Sequence, residues 1–181
     1  MAINPASFQC AFVFSLVLMP FMSFADGLKV GDSAPAFSAD NQNGERFDLN
    51  SRKGAGWTVL FFYPKAGTPG CTKEACAFRD SIEKIRALGA EVYGISSDSI
   101  EGQKSFHTKH HLTFDLLADP DLEVINKFEA KMPVISIAKR WTFILDPDLK
   151  IRSIEKDVDP MLDAGRVAQT IRELQSTAHS S

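Results

Sequence analysis

The sequence lacks a charge bias: 20 Lys and Arg stand against 23 Asp and Glu, a formal net charge of -3 over 181 residues. A polyanion-binding protein needs concentrated positive charge, so nucleic acid drops out as a leading partner. No internal repeat or interdomain linker breaks the chain, and no apolar run reaches the ~20 residues that span a bilayer. One globular domain with an appendage is what remains. Cysteine is scarce, at Cys10, Cys71 and Cys76, and before Asp26 there is no charged side chain at all.

That uncharged segment, MAINPASFQCAFVFSLVLMPFMSFA, has an apolar run from Cys10 to Met19, a breaking Pro20, and small residues at Ser23 and Ala25. It resembles a secretory signal peptide cleaved before Asp26, although only the N-terminal amine supplies the positive charge such a segment carries. The expectation is a signal peptide at residues 1–25, a single domain at 26–181, and a periplasmic or secreted protein. Cys71 and Cys76 then remain. In an exported protein two cysteines ordinarily form a structural disulfide, and their setting decides whether these do.

Alternation around Asn43-Gly44 predicts a small hairpin at the start of the domain. WTVLFFY (Trp57 to Tyr63) is apolar throughout and predicts a central strand covered on both faces. Pro64 to Gly70 is a loop with two Pro and two Gly, after which Ala75, Phe78, Ile82, Ile85 and Leu88 recur at helical spacing until Gly89. Cys71 thus opens a helix. Next come a strand at Glu91 to Ser96, a helix from Ser99 to about His110 capped by Asp98, a strand at Phe114 to Asp119, and a short helix from Asp121 to Phe128. WTFILD and IRSIEKD pair through a Pro147-Asp148 turn, and a last helix begins near Pro160 with Ala164, Val167, Ala168, Ile171 and Leu174 on one face. The tail from Ser176 is polar and expected to fray. This order predicts an α/β fold with a mixed central sheet flanked by helices and an N-terminal β-hairpin. The strand, loop and cysteine-headed helix match the thioredoxin-like arrangement, which periodicity alone leaves as one option among several.

A thiolate is the reactive form of cysteine, and a helix N-terminus stabilises the anion through its unpaired N–H groups and dipole. Cys71 sits there. Thr68 can point a hydroxyl at the sulfur or at a bound oxygen, Pro64 and Pro69 hold the loop and limit water, and Gly70 allows close backbone approach. Cys76 lies five residues on, which in an intact helix is ~7.5 Å along the axis and about 8.7 Å between Cα atoms. A disulfide tolerates roughly 7 Å. A permanent disulfide and a permanent helix are therefore incompatible, and if the pair acts together the first turns must unwind.

The run PKAGTPGCTKEAC resembles the peroxidatic signature PxxxTxxC of peroxiredoxins, in the Q-type or bacterioferritin-comigratory form with a second cysteine five residues later. The likeness extends from KVGDSAPAFSADNQNG through RWTFILDPDLKI and falls away in the final helix. The resemblance implies that Cys71 attacks a hydroperoxide and becomes a sulfenic acid, which Cys76 resolves as an intramolecular disulfide. It also implies that Arg140 stabilises charge, that Thr68 and the Cys71 N–H hold the peroxide oxygens, and that Pro64 shields the sulfur. A thioredoxin or, given export, a periplasmic thioredoxin-like dithiol protein would restore the thiols. No metal or organic cofactor is needed.

Blander readings stand beside these. Arg140 alone is a solvent-facing strand-edge arginine, and only the RWTFILD context makes it catalytic. Lys139 should face solvent on the opposite side. Glu74 reads as a first-turn carboxylate complementing the dipole, with a positioning hydrogen bond as its alternative. His107, His110 and His111 read as a solvated helix end rather than a metal site. KMPVISIA (Lys131 to Ala138) is either a packed strand or a flap. Two rival functions are an exported thiol-disulfide oxidoreductase of the same fold, which usually has cysteines two residues apart, and a copper-binding module using the cysteines and a histidine.

Overall fold

The run WTVLFF, uninterrupted by charge, forms the strand on which the domain is built. In a computed structural model that describes residues 27–178, this strand (β3, Trp57–Phe62) pairs in parallel with β4 (Ala90–Ser96) and antiparallel with β6 (Trp141–Leu145). The sheet has seven strands in the order β2-β1-β5-β4-β3-β6-β7, with β1 at Ser38–Asn41, β2 at Arg46–Asp48, β5 at Asp115–Ala118 and β7 at Ile151–Glu155. Parallel and antiparallel pairings coexist, so the expected mixed sheet and thioredoxin-like α/β fold stand. The expected signal peptide at 1–25 lies outside the described residues. Among the described residues no helix is long and apolar enough to cross a membrane.

Because strand side chains alternate, β3 feeds two cores. Val59, Phe61 and Tyr63 point into one, with Ala75, Phe78, Ile82 and Ile85 of α1 (Pro69–Arg86) and Ala164, Val167, Ala168 and Ile171 of α4 (Asp163–Ala178). Leu60 and Phe62 point into the other, with Phe37, Phe128 and Phe143. The ring of Phe61 stacks on Phe78 at 4.6 Å between centroids, so α1 is fixed to the strand immediately ahead of the loop that leads into it. Buried aromatic pairs of this kind contribute ~1 kcal/mol beyond the area they hide.

Most element limits match the periodicity, and the departures have local causes. The helix after β4 (α2, Ile100–Lys109) is capped by Ser99, whose hydroxyl accepts from Gly102 N, and not by Asp98 as expected. Asp98 is engaged elsewhere. The short helix α3 spans Glu123–Lys127 rather than Asp121 to Phe128, because Leu122 adopts left-handed geometry at φ 60 and Asp119 receives the Ile125 N–H at 2.8 Å. The last helix begins at Asp163, three residues after Pro160. Ser176 and Thr177, placed in a frayed tail, are still helical; residues 179–181 lie outside the described residues. Lys131 to Ala138 is not a packed strand: a bridge joins Lys131 to Ala138, and in the loop between them Val134 is 93% and Ile135 51% exposed.

Candidate active site

The site begins with the end of β3. Tyr63 N–H continues the sheet by donating to Ile95 O, after which Pro64 turns the chain out and Gly67, at φ +76, supplies a conformation that a side chain would resist. Thr68 is the N-cap of α1, Pro69 fills the first position, and Thr72 N–H makes the first backbone bond back to Thr68 O. Cys71 is therefore the third residue of the helix rather than its first, and its N–H belongs to the turn that has no intrahelical acceptor. Its side chain is 1% exposed and faces the core.

The sheet register brings the distant arginine to this point. Phe62 pairs with Trp141, so Arg140, one residue outside β6, lies across from Tyr63 and beside the head of α1. Arg140 Nη2 donates to Cys71 Sγ at 3.4 Å, and Nη1 pairs with Glu74 Oε2. The solvent-facing reading of this arginine is thereby excluded. Gly70 is what lets the guanidinium in, since a Cβ there would sit 3.2 Å from Nη2.

Glu74 is not the exposed first-turn carboxylate of the simplest reading. It is fully buried, paired with Arg140, and its Oε1 has no hydrogen-bond partner. Burial pushes its carboxyl up to about 8, against the downward pull of Arg140. Burial works to lower the Arg140 guanidinium, but the Glu74 carboxylate and Cys71 hold it above its ordinary value. Behind them Asp163, at the head of α4, accepts from Thr142 Oγ1 at 2.7 Å; both side chains are buried, and burial raises Asp163 to about 6. Neither residue stood out in the sequence.

Thr68 and Pro64 are half-buried beside the sulfur's helix, but the threonine hydroxyl does not donate toward Cys71. It donates to Lys65 O at 3.0 Å and so closes the loop, leaving its lone pairs for a donor. Lys139, expected to face solvent, donates to Glu129 O at 3.1 Å and stands 4.2 Å over the Trp141 ring.

Cys76 is a free thiol like Cys71, but it is only half-buried. It opens onto a groove of ≈ 530 Å³ between α1 and the start of α4, lined by Thr72, Lys73, Ala77, Met161 and Leu162 among others. Since α1 is continuous from Pro69 to Arg86, the two cysteines keep the separation of about 8.7 Å between Cα atoms that helix geometry imposes. His107, His110 and His111 do not converge: His110 packs its ring on Phe106, and His111 leaves the helix at φ 50. Among the described residues no group of three or more His, Cys, Asp or Glu could hold a metal ion. The copper-binding reading loses its ligand set there.

The chain as a whole is similar to known proteins. Residues 30–154 match the model of the AhpC/TSA family. A putative peroxiredoxin bcp of Coxiella burnetii is 36% identical over 81% of this chain and 99% of its own length. Peroxiredoxin Bcp of Escherichia coli is 38% identical over 72% of this chain and 86% of its own. Among solved structures, peroxidoxin BcpB of Mycobacterium tuberculosis superimposes with a TM-score of 0.77 at 33% identity, covering 81% of this chain and 97% of that one. A cysteine at a helix head, an arginine on its sulfur, and a match over most of the length of such relatives lead to one assignment: the chain belongs to the AhpC/TSA family and, within it, to the peroxiredoxin Q/Bcp group of thiol peroxidases.

Proposed function

We propose that Cys71 is the peroxidatic residue and Cys76 its resolving partner. The observation that carries this reading is the 3.4 Å bond from Arg140 to a buried Cys71 sulfur at the head of a helix that holds Cys76 out of reach. As thiolate, Cys71 Sγ attacks one oxygen of ROOH. The S–O bond forms as the O–O bond breaks, the sulfur is oxidised by two electrons, and the leaving RO⁻ takes a proton to become ROH or water. Arg140 faces the place where negative charge passes from sulfur to the leaving oxygen. Thr68 Oγ1, its proton already given to Lys65 O, accepts from the peroxide O–H, while the Cys71 N–H donates to a peroxide oxygen. Pro64 shields the sulfenic acid from solvent.

Cys76 then condenses with the sulfenic acid, forming the S–S bond and releasing water, which needs the first turns of α1 to unwind. A dithiol protein of the thioredoxin type reduces the disulfide by exchange and is itself oxidised. Export of the chain, for which the uncharged segment at residues 1–25 is the support, would make that donor a periplasmic thioredoxin-like protein.

Two measurements test the reading. Stopped-flow mixing of the reduced protein with hydrogen peroxide should show rapid oxidation that Cys71→Ser abolishes; a variant as fast as the parent ends the assignment. Intact-mass analysis of the native protein should show an N-terminus at Asp26 and, after one equivalent of peroxide, the loss of two hydrogens. A retained Met1 refutes export, and a Cys76 that stays free refutes the resolving step.

A further inference from the structure

The Pro64–Thr68 loop is held from behind by a hydrogen-bond chain that the reaction described above does not use. Tyr63 Oη donates to Gln103 Oε1, Gln103 Nε2 donates to Ser96 Oγ at 2.9 Å and to Leu117 O at 3.1 Å, and Ser96 Oγ donates to Asp98 Oδ2 at 2.7 Å. The same Asp98 oxygen receives the Ala66 N–H at 2.8 Å. Tyr63, Ser96 and Gln103 are essentially inaccessible to solvent, so none of these groups can exchange its partner for water at low cost.

The direction of every bond is dictated by its ends. An ionised carboxylate only accepts, which makes Ser96 the donor to Asp98 and leaves its oxygen to accept from Gln103. The Gln103 amide must then turn its NH₂ toward Ser96 and the Leu117 carbonyl, and its oxygen toward Tyr63, which has to donate. No orientation is left to alternate. Both ends of the chain grip the same short loop: Tyr63 precedes Pro64, and Ala66 lies two residues before the N-cap Thr68. Asp98 is available for this because Ser99 has taken the N-cap of α2.

Building on the proposed Cys71–Cys76 cycle, we propose that Asp98 is a positioning residue, a latch that holds the loop against the head of α1 and restrains the unwinding that lets Cys76 reach Cys71. With Ala66 tethered, the chain that can follow an unwinding helix begins at Gly67 and is drawn back by the Thr68 hydroxyl bonded to Lys65 O. With the tether released, it begins at Pro64. A hydrogen bond to a charged acceptor is strong enough to shift such an equilibrium tenfold or more, and the disulfide-forming conformation rises in proportion when it is the minor state.

The test is Asp98→Ala in the full mature chain, with the two chemical steps timed separately by stopped-flow fluorescence and quenched intact mass. The expected result is disulfide closure about tenfold faster, Cys71 oxidation within about threefold of the parent, and less over-oxidation to sulfinic acid at excess peroxide. Asp98→Asn, which retains an acceptor oxygen for Ala66 N–H but not its charge, should return closure part of the way, to a rate clearly below that of the alanine variant. General loosening of the fold would not be rescued by that amide. Closure at the parent rate in Asp98→Ala, or an Asp98→Asn variant as fast as the alanine, overturns the latch. A parent protein that forms no Cys71–Cys76 disulfide would instead overturn the resolving reaction on which the latch depends.

Discussion

Replacing Glu74 by glutamine tests the electrostatics of the site without removing its shape. The carboxyl is raised from an ordinary 4.5 to about 8, chiefly by burial. A raised acid binds its proton more tightly in the folded than in the unfolded chain, so between those two values the native state holds a proton that unfolding releases. Stability therefore falls as pH rises from 4.5 through about 8. Across the whole interval, at ~1.36 kcal/mol per tenfold in proton affinity, the loss is on the order of 5 kcal/mol. The informative window is pH 6.5 to 8. Asp163, raised to about 6 by burial, acts in the same direction but is nearly exhausted by then, and His107 and His110, both lowered by burial, act with the opposite sign, mostly toward the acid end of the window and below it. In that window the parent should lose about 2 kcal/mol through Glu74, which at a urea slope of ~2 kcal/mol per molar displaces the unfolding midpoint by about 1 M.

Glutamine keeps an acceptor oxygen for Arg140 and has no proton to release. Urea titrations of the reduced protein at half-unit pH steps should show a midpoint that declines in the parent and stays level in Glu74→Gln. Parallel declines in the two proteins would refute the assignment of that proton to Glu74.

Two further outcomes follow from the same geometry. Arg140→Lys cannot reach Glu74 and Cys71 together with one ammonium, so peroxide oxidation of Cys71 should slow by about 10² in stopped-flow measurements; a rate within threefold of the parent would remove Arg140 from the chemistry. Gly94→Ala places a Cβ 2.7 Å from both Leu116 Cδ2 and Phe61 Cζ, and since Phe61 stacks on Phe78 of α1 it cannot simply withdraw. A loss of about 1–3 kcal/mol in urea unfolding is expected, and unchanged stability would show that the Phe61 stack has room to spare.

What could be read from the sequence divides along a physical line. Period and punctuation located β3, α1 and the closing hairpin because an apolar run, a glycine stop or a Pro-Asp turn acts on its own few residues. The two cysteines and Thr68 were visible for the same reason: they share one loop and one helix end. Arg140 required the family resemblance, since its place beside Cys71 depends on the pairing of Phe62 with Trp141 across a long sequence gap. Glu74 lies three residues after Cys71 in plain view, yet its letter reads as a solvated helix carboxylate, and only the arrival of Arg140 makes burial tolerable.

The same ambiguity explains why Asp98 reads as a cap. Asp-Ser ahead of a helix offers two capping side chains, and local preference cannot rank them. The choice is made by Ala66, thirty-two residues upstream, whose N–H needs an acceptor once the Pro64 turn has carried it away from β4. Ser96, Asp98, Gln103 and Glu74 are all residue types that normally lie at the surface. Each is inside or half inside here because a donor delivered by a separate element meets it: the Ala66 N–H for Asp98, the Gln103 amide for Ser96, the Tyr63 hydroxyl for Gln103 and the Arg140 guanidinium for Glu74. Polar residues that serve a site through its neighbours leave no local signature, for the pattern that would reveal them is the tertiary contact itself. The cysteines and Thr68 are the easier ones to see, because a helix end is built from adjacent residues.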